Sequence, residues 1–461
     1  MNMKRIAIVG GGMSGISFFL QMLQNSRTYD FTIYEPGDIC VNSSINNSSP
    51  SVLCNTSIAV NSLYKNIPED FYDYLVSQGF SYTPSCFAPR YLLTQYARER
   101  YNAACIQAKK LGCKVTIINE CVERFSINHS GMNEVVTSNG TAELYDYVCY
   151  SIGPCYQRQQ ESIDAELWES GKVACSMNKQ LSCFLQDKKS ISILGTKLSA
   201  IDTALYACAR GIQVTLFSNS GLFPSVRTSL LPNVKCRQKL SQEEKPESPL
   251  AFIRIINLAV KREKFYQRFH KEALINLKND INMAENGRNT WESYIAEVID
   301  YTNSTLKNMN AADIKKIRNR TLKLVSRYIS SIPLENAKKI HFYYEIGLLK
   351  VGKNSADDFR YENGKVALNN HKLHYDGLVI AAGIKSHYIK KDNNHYVFTS
   401  DDSVPRIEES EFIFLKKNGA WLIGNLSSTI YPIVNYLKFC VGQTKELVDV
   451  IERKENENSS Y

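Results

Sequence analysis

The chain reads as an α/β protein carrying two copies of one plan, with a helical insertion in the second copy. Three observations predict it. Short apolar runs that end in glycine occur at Arg5–Val9 and again at Ser190–Leu194. Each is followed by a helical period and a second apolar run, the signature of a βαβ unit with buried parallel strands. Each copy then passes through turn-punctuated strands and closes on an apolar run ending in glycine, at Gly153 and at Gly383.

Taken in order, Arg5–Val9 is the first buried strand, Ile16–Gln24 a helix and Phe31–Tyr34 the second strand. Asp38–Ser51 is rich in Asn, Ser and Gly and reads as a loop. From Leu93, apolar residues at Ala97, Tyr101, Ala104, Ala108 and Leu111 recur every three or four positions, predicting an amphipathic helix with Gly112 as its C-cap. A strand follows at Val115–Ile118, then a meander of Cys121–Ile127, Glu134–Ser138 and Thr141–Ser151, with Asn139-Gly140 as a hairpin turn. In the second copy, Ser190–Leu194 is the strand, Gly195 opens the turn, Ser199–Arg210 is the helix and Val214–Ser218 the next strand. Gly347–Val351, Lys365–Leu368 and Leu373–Ala382 read as the second meander. Between them, Ser241–Ile340 is polar and helical, an insertion serving as subdomain or lid.

Composition narrows the function class. At 461 residues, 44% hydrophobic and 22% charged, the chain can build two or three ordinary globular domains. The net charge of +9 is modest, and its Lys307–Lys339 concentration lacks interleaved aromatics, so a solvated face is expected there rather than a polyanion site. The 13 cysteines are odd in number, contain no CxxC pair and often lie in apolar runs (Cys105, Cys149, Cys208, Cys440), as buried thiols in a reducing compartment do. Ile6–Leu23 is apolar, but Gly10, Gly11, Gly12 and Gly15 would break a signal helix. A cytoplasmic protein is expected, with no membrane or nucleic-acid partner, a small-molecule substrate and an oligomeric state the residues leave open.

The motif with the most chemical content is Gly10-Gly11-Gly12-Met13-Ser14-Gly15, which fits G-x-G-x-x-G. Gly10 permits the tight turn, Gly12 lets the backbone approach a pyrophosphate, and Gly15 lets helix and strand pack closely. It follows a buried strand, opens a helix, and is followed by Glu35 at the end of the next strand, placed to accept from an adenosine ribose. The fold class is therefore two Rossmann-like dinucleotide-binding domains with β-meander inserts plus a helical insertion.

This combination resembles the flavoproteins with two dinucleotide-binding domains, which include flavin-dependent monooxygenases and pyridine-nucleotide disulfide reductases. The resemblance implies FAD on the first unit and NAD(P)H on the second. Ser151-Ile152-Gly153 and Ala381-Ala382-Gly383 look like the family's two strand-end glycine motifs. Trp421–Asn425, before a predicted helix Ile433–Val450, looks like the late segment returning to the flavin. There Gly424 matches, but Asn425 stands where an aspartate usually holds the ribityl chain. A closer resemblance, over most of the chain, is to a branch of FAD/NAD(P)-binding proteins through Leu53–Asn55, Phe87–Tyr91, Leu194–Asp202 and Gly221–Arg227. Some members of it look like amino-acid N-hydroxylating enzymes. The resemblance lets Arg90 pair with the flavin pyrophosphate and Asn55 line the flavin face. A surface ion pair and an Asx-turn are the plainer readings of the two. The implied layout is 1–155 for the first part of the FAD-binding domain, 156–240 and 341–383 for the NAD(P)-binding-like domain, 241–340 for the insertion, and 384–461 for the return to the FAD-binding domain.

In the second unit, Gly195-Thr196-Lys197-Leu198-Ser199-Ala200 keeps only the first glycine. Lys197 would crowd a pyrophosphate or supply a phosphate contact. The following strand ends in Ser218-Asn219-Ser220 with no acid for a ribose diol, so NADPH is expected over NADH, with Lys197, Arg210 and Arg227 as candidates for its 2′-phosphate. His371 and His374 lack partners at metal-ligand spacing, and Cys149 and Cys155 lack the spacing of a redox dithiol. The catalytic residues themselves are not legible. The leading expectation is an NADPH-using, FAD-dependent monooxygenase acting on a small amine or amino-acid-like substrate. An FAD oxidase or dehydrogenase with a degenerate nicotinamide site, and a non-enzymatic flavin-binding partner protein, are the alternatives.

Overall fold

The structure is a computed structural model describing residues 3–41, 49–153, 163–176, 180–231, 246, 248–262, 272–306, 309, 311–317, 323–368, 373–383, 387–401, 403–431, 433–434 and 436–459. The first stretch gives β1 (Lys4–Val9), α1 (Met13–Met22), β2 (Tyr29–Tyr34), α2 (Asp70–Ser77), α3 (Arg90–Lys110), β3 (Lys114–Ile118), β4 (Val122–Ile127), β5 (Asn133–Thr137), β6 (Ala142–Tyr145) and β7 (Tyr147–Tyr150). The second gives α4 (Ala165–Glu169), β8 (Val173–Cys175), α5 (Leu181–Phe184), β9 (Ser190–Leu194), α6 (Leu198–Cys208), β10 (Gln213–Phe217) and β11 (Val226–Arg227). The insertion holds α7 (Pro249–Arg262), α8 (Ala273–Glu285), α9 (Glu292–Leu306), α10 (Ala311–Ile317) and α11 (Lys323–Ile329). Then come β12 (Ile332–Pro333), α12 (Leu334–Glu345), β13 (Leu349–Gly352), β14 (Phe359–Glu362), β15 (Lys365–Leu368), β16 (His374–Tyr375) and β17 (Gly377–Ile380). The chain finishes with β18 (Tyr388–Asp392), β19 (His395–Thr399), α13 (Glu409–Lys417), β20 (Ala420–Leu422) and α14 (Leu437–Ser459).

Two parallel five-stranded sheets organise the molecule, in the orders β20-β7-β1-β2-β3 and β13-β10-β9-β17-β8. Strands β1 and β2 are buried almost throughout because α1, α3 and α14 cover one face. The meander sheet β18-β19-β4-β5-β6 covers the other, through Phe125, Tyr150 and Tyr396.

Two expected strands are each broken by an aspartate. Thr141–Ser151 splits at Asp146 into β6, in the meander, and β7, in the parallel sheet. Asp146 donates its N–H to Arg5 O at 2.9 Å, while its carboxylate accepts from Arg5 N and Lys4 Nζ. Leu373–Ala382 splits at Asp376 in the same way: its N–H reaches Ser190 O at 2.9 Å and its carboxylate accepts from the Lys189 and Ser190 amides. In both copies, a carboxylate clamps the chain entering the first strand and turns the crossing strand out of the meander. A further correction concerns Gly347–Val351, which forms β13 of the parallel sheet; the second meander is β14-β15-β16.

The insertion is not a detached subdomain. α8 and α12 bury Leu277, Ile281, Ala337 and Ile340 in the second unit's core, so α12 is the crossover helix into β13. α7, α9, α10 and α11 form a separate core with Val60, Leu230 and Tyr436.

Candidate functional site

Both glycine turns have the same backbone. Gly10 has φ +102, and a Cβ there would lie 2.7 Å from Ser151 O on the strand end of β7; Gly195 has φ +134 and its Cβ would meet Ala381 O at 2.4 Å, after β17. The next helix is capped by an extended residue in each, Gly12 (φ −76, ψ −171) and Lys197 (φ −97, ψ −169). The two differ where glycine is replaced. A Cβ on Gly15 would come within 2.0 Å of Gly10 O, so α1 packs against its turn with no room for a methyl, whereas Ala200 occupies that place in α6.

Around the first turn the residues fit a dinucleotide. Helix α1 has no side-chain cap at its N-terminus, and a Cβ on Gly12 meets nothing within 4 Å, leaving the amides open to an anion. Glu35 follows β2 directly and accepts from Gly11 N at 2.8 Å and Gly37 N at 3.0 Å, which fixes the carboxylate while leaving lone pairs for a diol. Met13 is buried beneath the turn, and Ser14 lies near the thiol of Cys440. That same thiol lies against Gly424, which has φ +61 and donates to Gln443 Oε1 at 3.0 Å. The late segment is thus brought beside α1, as β20 pairs with β7. Asn425, 7% exposed, has its Oδ1 buried with no hydrogen-bond partner among the described residues. An orphaned buried acceptor costs about 1–3 kcal/mol, so a ligand hydroxyl there would relieve it. Gly153 is exposed, with open space where a side chain would stand.

A cleft of about 930 Å³ lies between the units, lined by Asn55, Arg90, Gly195, Lys197, Ser199 and Tyr436 among others. Asn55 and Arg90 come together because Leu53 bridges Pro89 and Arg90 N donates to Val52 O. Arg90 Nε donates to Leu53 O at 2.9 Å and its Nη2 meets Asp202 of α6 at 2.9 Å. The ion pair expected as the plainer reading is therefore an inter-unit strut, mostly buried, and not a surface pair. Burial pushes the Asp202 carboxyl up to about 6 against the pull of Arg90.

Arg227 is a correction. It is fully buried and donates to the carbonyls of Asn55, Tyr328 and Ile329, with burial lowering its guanidinium to about 10. It ties the first unit's loop to the insertion and is not among the residues that line the cleft. Arg210 lies beyond the C-terminal end of α6, stacked on Tyr206 at 3.5 Å, a helix length from the turn. Lys197 is exposed at the turn itself. The run Ser218–Ser220 lines the cleft, as does Asp357, an acid outside the strand end on which sequence reasoning concentrated. Asp357 follows β13, whose place beside β10 was the missing signal.

Among the described residues no His, Cys, Asp and Glu cluster could hold a metal, and His374 faces Glu362 at 3.5 Å on the surface. His371 and Cys155 lie outside the described residues. Burial drives the Cys149 thiol far above its usual range. No described helix is long and apolar enough to cross a membrane.

Residues 7–154 match the FAD-NAD(P)-binding family model, so this part of the chain is an FAD/NAD(P)-binding domain. The protein YdhS of Escherichia coli K12, uncharacterized, is 24% identical over 222 residues, 44% of this chain; the match spans only 39% of that protein. In fold, the chain is similar to the ornithine hydroxylase PvdA of Pseudomonas aeruginosa (12% identical, 97% of this chain and 99% of that one, TM-score 0.53). It is likewise similar to the L-lysine 6-monooxygenase of Pseudomonas syringae (13%, 98% and 99%, 0.53). The third is OTEMO in complex with FAD and NADP (12%, 99% and 85%, 0.55). At these identities the likeness is one of fold.

Proposed function

We propose that this protein is an FAD-dependent oxidoreductase, an NADPH-using monooxygenase that oxidises a small amine or amino-acid-like substrate in the cytoplasm. The observation carrying this reading is the pair of equivalent turns, Gly10–Gly15 and Gly195–Ala200, each opened by a positive-φ glycine packed on a strand end, with the second turn on the wall of the inter-unit cleft. The monooxygenases sharing the fold support it.

In this reading the open amides of α1 hold the FAD pyrophosphate, with Gly12 giving it room, and Glu35 accepts from the adenosine ribose. Asn425 Oδ1 accepts from a ribityl hydroxyl. FAD supplies the acceptance of hydride from NADPH and the activation of oxygen. At the second turn, the amides of α6 and the Lys197 ammonium meet the nucleotide's phosphates. Asn55 and Tyr436 orient the substrate, and the insertion's aromatic core behind Tyr436 excludes water.

The test is anaerobic flavin reduction by NADPH, followed by aerobic turnover with candidate amines and identification of the product. Bleaching by NADPH and a product carrying one added oxygen atom are expected. If neither nicotinamide nucleotide bleaches the flavin while a reduced substrate does, the oxidase or dehydrogenase reading replaces this one. The replaced glycines at Lys197 and Ala200 are the feature that favours it.

A further inference from the structure

With Arg227 buried and Arg210 at the far end of α6, Lys197 at the glycine turn is the one cation of the three nominated from sequence that lines the cleft, and the run Ser218–Ser220 after β10 carries none. The topology supplies another. β13 runs parallel to β10 in the register Val214↔Leu349 and Phe217↔Gly352, so the residues following the two strands emerge side by side. After β10 comes Ser218–Ser220, on the cleft wall. After β13 comes Lys353, exposed and with no hydrogen-bond or ion-pair partner among the described residues. Its stem crosses Gly221: a Cβ built there would lie 2.9 Å from Lys353 Cγ and 3.3 Å from Cε. Gly221 has φ +62 and donates to Ser218 Oγ at 2.9 Å, and that hydroxyl is 3.1 Å from Thr196 Oγ1 of the glycine turn.

We propose that Lys353 determines the coenzyme specificity of the cleft by meeting the 2′-phosphate of NADPH, a role that rests on the nicotinamide-nucleotide site proposed above. In a Rossmann unit the adenosine ribose sits at the end of the second strand, where an acid grips a free diol and a cation accommodates a 2′-phosphate. Here that strand ends in hydroxyls, and the ammonium reaches the place from the neighbouring strand on a flexible four-carbon stem. Asp357 lines the cleft and its charge opposes a phosphate, which a cation beside Ser218 would offset.

The experiment is calorimetric titration of the full-length, FAD-loaded protein with adenosine 2′,5′-bisphosphate and with 5′-AMP, which differ only in the 2′-phosphate. The wild type is expected to prefer the bisphosphate by about ten- to a hundred-fold, the range of one charge-assisted hydrogen bond. Lys353→Met, which keeps the stem over Gly221, is expected to lose most of that preference while binding 5′-AMP as before, and Lys353→Arg to restore it. Lys197→Ala should weaken both ligands equally. An undiminished preference in Lys353→Met overturns the proposal, as does a wild type that binds the two equally, although the nucleotide site then stands. A wild type that binds neither removes the nucleotide site and this role together.

Discussion

Gly12 and Gly15 stand three residues apart in one turn and answer to different constraints. Gly15 is required by the fold, because its Cβ would strike Gly10 O; Gly12 faces open space among the described residues, and in the proposed reading its lack of a side chain makes room for the FAD pyrophosphate. Gly12→Val is therefore expected to fold, with a melting temperature close to wild-type apoprotein, and to lose FAD. Full flavin content in that variant would refute the site. Gly15→Val is expected to lose both fold and flavin, which far-ultraviolet circular dichroism separates from the first case. Arg227 gives the converse lesson. Arg227→Ala deletes a large buried side chain and strands three carbonyl acceptors, a loss of about 2–5 kcal/mol in denaturant unfolding. A fully stable variant with a selective defect toward NADPH would return Arg227 to the coenzyme site.

Helices α3 and α6 meet through Arg90 and Asp202, and the elevated carboxyl makes their contact pH-dependent. The folded value of about 6 exceeds the ordinary 3.8, so between these limits the native state holds a proton that the unfolded state has released. Asp202's contribution to stability is thus complete below about pH 4 and is lost as pH rises through 6. Asp202→Asn locks in the neutral form and can still accept from Arg90. Its stability relative to wild type is expected to climb between pH 4 and 7 by up to about 3 kcal/mol. Parallel melting-temperature profiles across that range would contradict the assignment. Asp280 beside Arg327 is also raised to about 6, remains in both proteins, and cancels in the comparison.

At the scale of the whole molecule, the insertion is a wall and not a loose lid. Besides Arg227, it is fastened to the chain before α14 by Asn303, whose amide donates to Ile433 O at 2.7 Å and accepts from Ile433 N at 3.2 Å. This pair of hydrogen bonds holds the segment that leads to Tyr436, which packs in one core with Val60 and the insertion's aromatic residues and lines the cleft. Asn303→Ala is expected to cost about 1–3 kcal/mol. It should also speed hydrogen exchange of the Ile433 amide and raise the Michaelis constant for substrate more than it lowers FAD content. Unchanged protection at Ile433 would mean that the segment is held by packing alone.

The sequence by itself determined the elements whose cause is local. Arg5–Val9 and Ser190–Leu194 are apolar runs ending in a glycine that must take positive φ, and both form the strands and turns read from them. The G-x-G-x-x-G spacing and Glu35 are likewise set along a single βαβ unit, so turn and carboxylate were legible together. Tertiary structure decided whatever depended on chain crossings. Asp146 and Asp376 look like ordinary strand residues until they clamp Arg5 and Ser190 from more than 140 positions away. Arg227 looks like a phosphate ligand until β11 pairs with β12 and buries it beneath the insertion. Lys353 carries no motif; only the placement of β13 beside β10 brings it to Ser218. Periodicity and turn chemistry act over a few residues, whereas burial and charge pairing act between strands that sequence order does not make neighbours.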